Sequence, residues 1–529
     1  MKAAIWPEII SIKNSGTALY IVVCALCYIL ANGQWGIPVF AWIYPFLFLS
    51  LLKKGEILKP VLIIFLIYII GFFIQWINVL GVGPLTCLAI AITASCIKIF
   101  PYIAYQKFNG SEDCFAVTIL FSAAMVTAEY VIYLIYPILA GLSDVYTQYQ
   151  NLTLINLSSL FGVYGIIFVM YWTSAVAIWL CEHREGQKSK KAIIIYAIAM
   201  GFVFMYGIAM LNLPITKSNT VRIASITVPV KELLENDDDV YKVFYSNSFS
   251  AENLATTKKK LSQVHDELFK KTIEEAKAGA KIIFWSELNG AVMQEDEARL
   301  ITHAAEIAKQ QNIYLVISLL TKTPYEKYKD NKVVAFNPQG EILSEFFKTV
   351  RSPGELCVEG TGKMQDFPSE FGRLTSFICS DMASSDLVNQ AGRDNVDIIM
   401  VPASDWKEMS PIAIKTAIVR GIENGCAVVR QTNMGISIAA DYSGRILSRS
   451  DYYTSESMNM VSEIPIRGRF TVYPYVGNIL PWGCTVYVVL SLLNFHRKNG
   501  IKRNKNNATN WTDPQKLGQK SNNGWQKGN

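Results

Sequence analysis

The chain has 529 residues, of which 51% are hydrophobic and only 17% charged, and its mean hydropathy is positive. Those values exclude an ordinary water-soluble enzyme and require part of the chain to sit in lipid. The net charge of +6 is modest and scattered into short loops and the C-terminal tail, which describes membrane topology better than a nucleic-acid surface, and no nucleic-acid motif accompanies it.

In chain order, "MKAAIWPEIISIKNSG" places Trp6, Pro7 and Glu8 ahead of the first long apolar run, so an uncleaved span is expected rather than a removable leader. Apolar runs able to cross, or nearly cross, the hydrocarbon layer lie at about 17–33, 36–52, 58–80, 83–106, 115–138, 159–181 and 192–213, with another near 477–495. A transmembrane domain over 1–213 is therefore expected, then a domain over 214–476, a C-terminal span over 477–495 and a basic, disordered cytoplasmic tail over 496–529. The first two runs are short and separated only by "GQWG", so a hairpin that dips incompletely is an alternative to two full spans. Cys24 and Cys27, the one CxxC pair, lie in apolar surroundings without histidine at ligand spacing, and no metal is expected there.

Lys2, Lys13, Lys53, Lys54, Lys59, Lys98, Lys107, Arg184, Lys188, Lys190 and Lys191 fall in alternate connections, which are assigned to the cytoplasm. The domain between spans seven and eight then faces outward. Glu129, inside the fifth run, is expected to be satisfied between helices or near the outer interface rather than to serve an ion pathway, no other span offering a convincing charged partner.

From residue 221 apolar strands alternate with amphipathic helices: "VRIASITVPV", a helix over about 251–279, "KIIFWSE", a helix near 295–311 and "IYLVISLL". A hairpin "KVVAFNPQGEILSEFFK" follows, then "RLTSFICSD", a short helix, "VDIIMVPASD", a helix over about 410–424, and three strands ending in "RILSRSD". This is the pattern of a layered α/β domain, in which function gathers where strand ends feed loops and helix starts. Glu287, Lys348 and Cys379 close three of these strands. A thiol needs a base or a positive environment to become a nucleophile; Lys348 and the helix start after "CSDM" can supply charge, and Glu287 can take the proton. Lys348 and the Ser380 amide can stabilise an oxyanion. His265 and His303 lie on predicted helix faces, which counts against a Cys-His site. Each of the three residues alone has an ordinary structural reading, a small buried hydrophobe or a solvated strand end.

Glu287 in "FWSE", Lys348 in "EFFK" and Cys379 in "ICSD", in that order, resemble the Glu-Lys-Cys triad of the nitrilase, or carbon-nitrogen hydrolase, superfamily. Seven spans before such a domain and one after it resemble the bacterial apolipoprotein N-acyltransferases. "SPGE" is similar to that family's proline-x-glycine-glutamate segment, which implies a role for Glu355. "RGIENGCAVVRQTNMGIS" resembles another family stretch, and "SDW", ending at Trp406, its tryptophan-bearing loop. The family's Tyr-Glu after the nucleophile is Ser380-Asp381 here, the proline before the glutamate is Ser286, and the tryptophan after the first domain strand is absent from "VPVKELLENDDDV".

The resemblance implies an αββα nitrilase-like domain joined to a multi-pass helical membrane domain, with catalytic Glu287, Lys348 and Cys379 supported by Glu355, Ser380, Asp381 and Trp406. It implies a monomer in the bacterial inner membrane, its catalytic domain outside, that needs no cofactor or metal. The expected reaction moves an acyl chain from a phospholipid, through a Cys379 thioester, to the α-amino group of a diacylglyceryl-cysteine on a lipoprotein. The aromatic "RFTVYPYVGNILPWG" ahead of the last span is expected at the interface, as a wall for lipid or as an anchor. A tethered amidase of small amides would use the same triad without phospholipid. A transporter with a binding domain would need ionisable groups along its spans, and only Glu129 answers.

Overall fold

The computed structural model describes residues 14–52, 57–109, 115–183, 187–212, 219–455 and 458–511. Lys2, Lys13, Lys53, Lys54, Arg184 and residues 512–529 of the tail lie outside the described residues. The N-terminal half is helical because its apolar runs leave backbone groups no partner but one another. It comprises α1 (Asn14–Leu30), α2 (Phe40–Leu51), α3 (Leu58–Trp76), α4 (Pro84–Lys98), α5 (Ala116–Ile135), α6 (Val163–Glu182) and α7 (Gln187–Asn212), with short helices between some of them. Among the described residues six helices are long and apolar enough to cross a membrane, the last beginning at Ile479. The helix α2 has 12 residues, about 18 Å of rise, short of a roughly 30 Å hydrocarbon layer. The α1–α2 turn is fastened instead to the segment after α5, where Asn32 Nδ2 donates to Leu142 O at 2.6 Å and to Asp144 Oδ1 at 3.0 Å.

One charge assignment is corrected. Lys98 does not sit in a loop: it ends α4, the chain continues at once into another helix, and its Nζ lies 2.8 Å from Glu129 Oε1 with both side chains buried. A second span therefore does supply Glu129 with a charged partner, because the helix carries Lys98 inward instead of releasing it to water.

The C-terminal half is a four-layer body of two sheets between helices. In the first sheet β1 (Thr220–Ile226), β2 (Ile282–Trp285) and β4 (Tyr314–Lys322) run parallel, β5 (Asp330–Phe336) and β6 (Ile342–Phe347) continue antiparallel, and β3 (Gly290–Met293) pairs with β4. In the second, β8 (Gly372–Ser376), β9 (Ile398–Ala403) and β10 (Ala427–Thr432) run parallel, flanked by β7 (Asp366–Ser369) on one side and by β11 (Ile436–Ala440) and β12 (Ile446–Asp451) on the other. The strand β13 (Met460–Pro465) crosses back to pair with β1. Ile223, Phe284 and Val316 of the first sheet pack against Leu374, Ile398 and Met400 of the second in one core. The outer face of the first sheet is covered by α8 (Ala251–Lys277) and α9 (Gln294–Gln311). The second is covered by α10 (Ser385–Arg393) and α11 (Ser410–Asn424). Helix α11 then presses Ile414, Ile418 and Ile422 into the core of the membrane helices.

The last helix, α12, runs from Ile479 to Trp511, past the expected end of the eighth span. The four-residue strands β3 and β7 and the edge strand β13 fall outside the strands expected from hydropathy. Strand β3 forms only because its first residue is glycine: a Cβ at Gly290 would lie 2.6 Å from Ser318 O.

The Lys98–Glu129 pair makes a stability prediction. Lys98→Met leaves a carboxylate buried without its partner and should cost about 3–5 kcal/mol, whereas Lys98→Met with Glu129→Leu should recover most of it. Thermal unfolding of the three proteins in detergent checks this; equal melting of the single and double variants would show that the pair carries no such energy.

Candidate active site

The parallel strands of both sheets end on the same side of the body, and the loops beyond them meet there. Glu287 lies two residues past β2, and its neighbour Leu288 has φ +68°. Lys348 is the first residue past β6, held by its amide to Asn331 O at 2.9 Å. Cys379 lies three residues past β8, where it opens a 3₁₀ turn over Cys379–Ala383 with φ +48°. None of the three closes a strand as such; each sits on the connection just beyond. Left-handed backbone at bulky Leu288 and at Cys379 costs about 1–3 kcal/mol each and persists only where the surroundings impose it.

Asp381 imposes it at Cys379. Its Oδ2 accepts the Ile378 amide at 2.9 Å, while Oδ1 accepts the Thr349 and Val350 amides at 3.0 and 2.7 Å. One carboxyl thus ties the residue before Cys379 to the two residues after Lys348. Burial pushes this carboxyl up to about 7 against the downward pull of those amide bonds. It is fully buried and does not line the cavity described below, so Asp381 positions its neighbours rather than meeting a ligand. Ser380 does line the cavity, but its hydroxyl is spent on Val350 O at 2.5 Å.

The ammonium of Lys348 is the centre of the site. Its Nζ lies 2.8 Å from Glu287 Oε1 and 2.9 and 2.8 Å from the two carboxylate oxygens of Glu355. Asn331 Nδ2 bridges the same acids, at 2.8 Å to Glu287 and 3.0 Å to Glu355. Burial works against the Lys348 charge, but Glu287 and Glu355 outweigh it and hold the ammonium well above its ordinary range. Burial likewise works against the Glu355 charge, and Lys348 outweighs it, keeping that carboxyl below its usual range. The Cys379 thiol is pushed up to about 12 by burial and by the Glu287 carboxylate, with Lys348 pulling the other way. The resting thiol is therefore protonated.

Glu287, Lys348, Glu355, Cys379 and Trp406 line one cavity of about 440 Å³. Leu80, Ile138 and Gly141, from connections between the membrane helices, complete its wall. Trp406 joins the two halves, its indole donating to Val79 O at 2.9 Å. Tyr136 OH does the same to Arg351 O at 2.6 Å, and Tyr133 OH to Asp386 Oδ2 at 2.7 Å. His265 and His303 lie elsewhere, on a separate cavity of about 250 Å³.

Sequence reasoning missed Asn331 and the buried pair of Arg430 with Asp405, whose two bonds measure 2.7 and 2.8 Å. A polar residue opening an apolar strand was the available signal for Asn331. An arginine inside "CAVVRQT" was the one for Arg430. Arg420 and Glu423, from the same family-like stretch, serve the junction instead: they pair with each other, and they bond Tyr146 OH at 3.0 Å and the Val163 amide at 3.0 Å.

Residues 251–462 match the carbon-nitrogen hydrolase family model, and the two paired sheets fit the fold of the nitrilase superfamily. The chain is also similar to the apolipoprotein N-acyltransferases. The one from Geobacter metallireducens is 21% identical over 452 residues, 80% of this chain and 82% of that protein. The one from Haemophilus influenzae is 21% identical over 371 residues, 67% of this chain and 70% of that protein. Among solved structures, an amidase from Nesterenkonia sp. aligns with 16% identity over 48% of this chain and 94% of its own, at a TM-score of 0.36.

The elevated thiol predicts a pH profile. With the thiol held well above its ordinary value, alkylation by iodoacetamide should rise about tenfold per pH unit from 7 to 10 without levelling near the ordinary thiol value. Glu287→Gln removes the carboxylate that disfavours the thiolate and leaves Lys348 in place, so the profile should move to lower pH. Peptide mass spectrometry of Cys379 after timed alkylation measures both; a wild-type plateau by pH 9 would contradict the upward shift of the thiol.

Proposed function

We propose that the chain is a membrane-bound N-acyltransferase that carries an acyl group from a phospholipid, as a Cys379 thioester, to the α-amino group of a diacylglyceryl-cysteine at a lipoprotein N-terminus. The observation that carries the reading is the composition of one cavity: a thiol, an ammonium clamped between two carboxylates, and walls contributed by the membrane half. The names of the similar acyltransferases support the same class of reaction.

In the first step the Cys379 sulfur attacks the ester carbonyl as its proton passes to Glu287, because a thiol held near 12 supplies no standing thiolate. Lys348 and the Ser380 amide face the oxyanion that forms. The tetrahedral intermediate collapses with loss of the lysophospholipid alkoxide, which takes the proton back from Glu287. In the second step the substrate amine attacks the thioester carbonyl, its proton goes to Glu287, and the departing sulfur recovers it as the amide leaves. Glu355 and Asn331 keep Lys348 charged and Glu287 aimed throughout. Water competes with the amine for the thioester, and walls made by Leu80, Ile138, Met409 and Ile412 limit its access. Both substrates are lipid-anchored, so the reading sets the domain of residues 214–476 on the outer face of the bacterial inner membrane, tethered on both sides by spans.

Intact-protein mass spectrometry of the full chain after incubation with defined phospholipids checks this. The wild type should gain one acyl mass and lose it on addition of a diacylglyceryl lipopeptide with a free amine. Cys379→Ala should gain none, and Glu287→Gln should form the adduct about 100- to 10,000-fold more slowly. An unacylated wild type that still hydrolyses a small amide would favour the amidase instead.

A further inference from the structure

The cavity carries charges that the acyl transfer leaves unused. Lys322 ends β4 and Lys329 immediately precedes β5, so the connection between these strands brings two ammonium groups to the cavity lining. Both residues are buried, at 1% and 7% exposure. Among the described residues neither has a carboxylate within ion-pair distance. Lys322 Nζ donates to the backbone oxygen of Glu326, and Lys329 Nζ donates to Phe244 O at 3.3 Å and sits 4.3 Å from the centre of the Tyr245 ring. Glu355, whose charge reaches Lys329, already spends both oxygens on Lys348. Burial, and for Lys322 the neighbouring Lys329, push these amines below their ordinary range. Buried cations without a counter-ion are costly, and an anion entering the cavity would relieve them. Lys327, exposed on the same connection, adds a third cation to the lining.

The surroundings favour a lipid as the source of that anion. Tyr325, Tyr328 and Leu356 are exposed at 77%, 45% and 40% beside these lysines in the chain or the cavity lining. Tyrosine and lysine together suit the headgroup layer of a membrane. Leu80 and Ile138 of the membrane half line the same cavity and suit a chain rather than a small solute.

We propose that Lys322 and Lys329, with Lys327 at the rim, hold the phosphodiester anion of a phospholipid in this cavity. The assignment rests on the phospholipid donor proposed above and adds where its headgroup lies.

A short-chain dialkyl ether phosphatidylglycerol tests it, because it has the phosphodiester but no acyl ester to transfer. Titrated calorimetrically into the full chain in detergent, it should bind the wild type, about fivefold more weakly for K327M and about twenty-fold more weakly for K322M/K329M. A dialkylglycerol lacking phosphate should bind all three proteins equally. Since Lys327 is exposed, K327M reports on the site even where the double variant fails to fold. Unchanged affinity in K327M, or equal loss for the phosphate-free lipid, would overturn the proposal. So would inorganic phosphate binding as tightly as the lipid with the same lysine dependence, which would mark a site for the free ion. Lysine-dependent binding without acylation of Cys379 by a diacyl lipid would keep the headgroup site and remove the acyl-transfer reading, so failure of the one is distinguished from failure of the other.

Discussion

The site depends on one buried ammonium held between two carboxylates. Lys348 and Glu287 are almost wholly inaccessible, and Glu355 closes the other side. Removing one partner from such a group costs about 3–5 kcal/mol, a large share of the roughly 5–15 kcal/mol that stabilises a domain. The same arrangement sets the state of the thiol. With two acids to one base around it, the immediate field around Cys379 does not favour a thiolate, and the fixed Arg430–Asp405 pair nearby adds one charge of each sign. The sulfur waits as a thiol. On the proposed chemistry this is an advantage, because an acyl-thioester is formed only when a carbonyl is present to receive the sulfur as its proton leaves.

Holding that geometry requires backbone that local preference opposes. Cys379 and Leu288 both have positive φ without being glycine, and strain of this kind must be offset by contacts nearby. At Cys379 the contacts are identifiable: Asp381 gathers three backbone amides from two separate connections. At Leu288 they are the close approach of β3 to β4, which Gly290 permits, and Asn289, whose side chain accepts the Val228 amide at 3.0 Å. An aspartate fits the first task because its short side chain brings the carboxyl down onto the backbone. That gives a physical reading of the Ser-Asp dipeptide as a structural solution in this chain.

Much of this was legible in advance for a simple reason. Apolar runs of fixed length and strands buried on both faces leave strong periodic signals, and Glu287, Lys348 and Cys379 stand where those signals stop. What stayed hidden has no periodicity. Strands β3 and β7 have four residues each, too few to show a pattern. Lys98 resembled a loop cation because a lysine at the end of an apolar run reads the same whether the chain turns into water or continues as helix. Asn331 and Arg430 act through partners distant in sequence, such as Glu287 and Asp405, and only the folded chain brings them together. Asp381 was visible as a residue but not in its role, since a carboxylate facing a ligand and one facing the backbone look alike in one dimension.

The junction between the two halves decides what the cavity can be. Its wall includes Leu80, Ile138 and Gly141, and the bonds that seat this wall run from Trp406 to Val79, from Tyr136 to Arg351 and from Tyr133 to Asp386. Helix α11 drives isoleucines into the membrane core, while Arg420 and Glu423 on that helix reach Tyr146 and the start of α6. Without these segments of the membrane half, this side of the cavity would lose its wall. Here the same strand ends are roofed by segments that the lipid-embedded helices position. On the proposed chemistry this roof limits the access of water to the thioester and favours molecules that arrive along the membrane surface, so the reach of that chemistry follows from where the helices hold the domain.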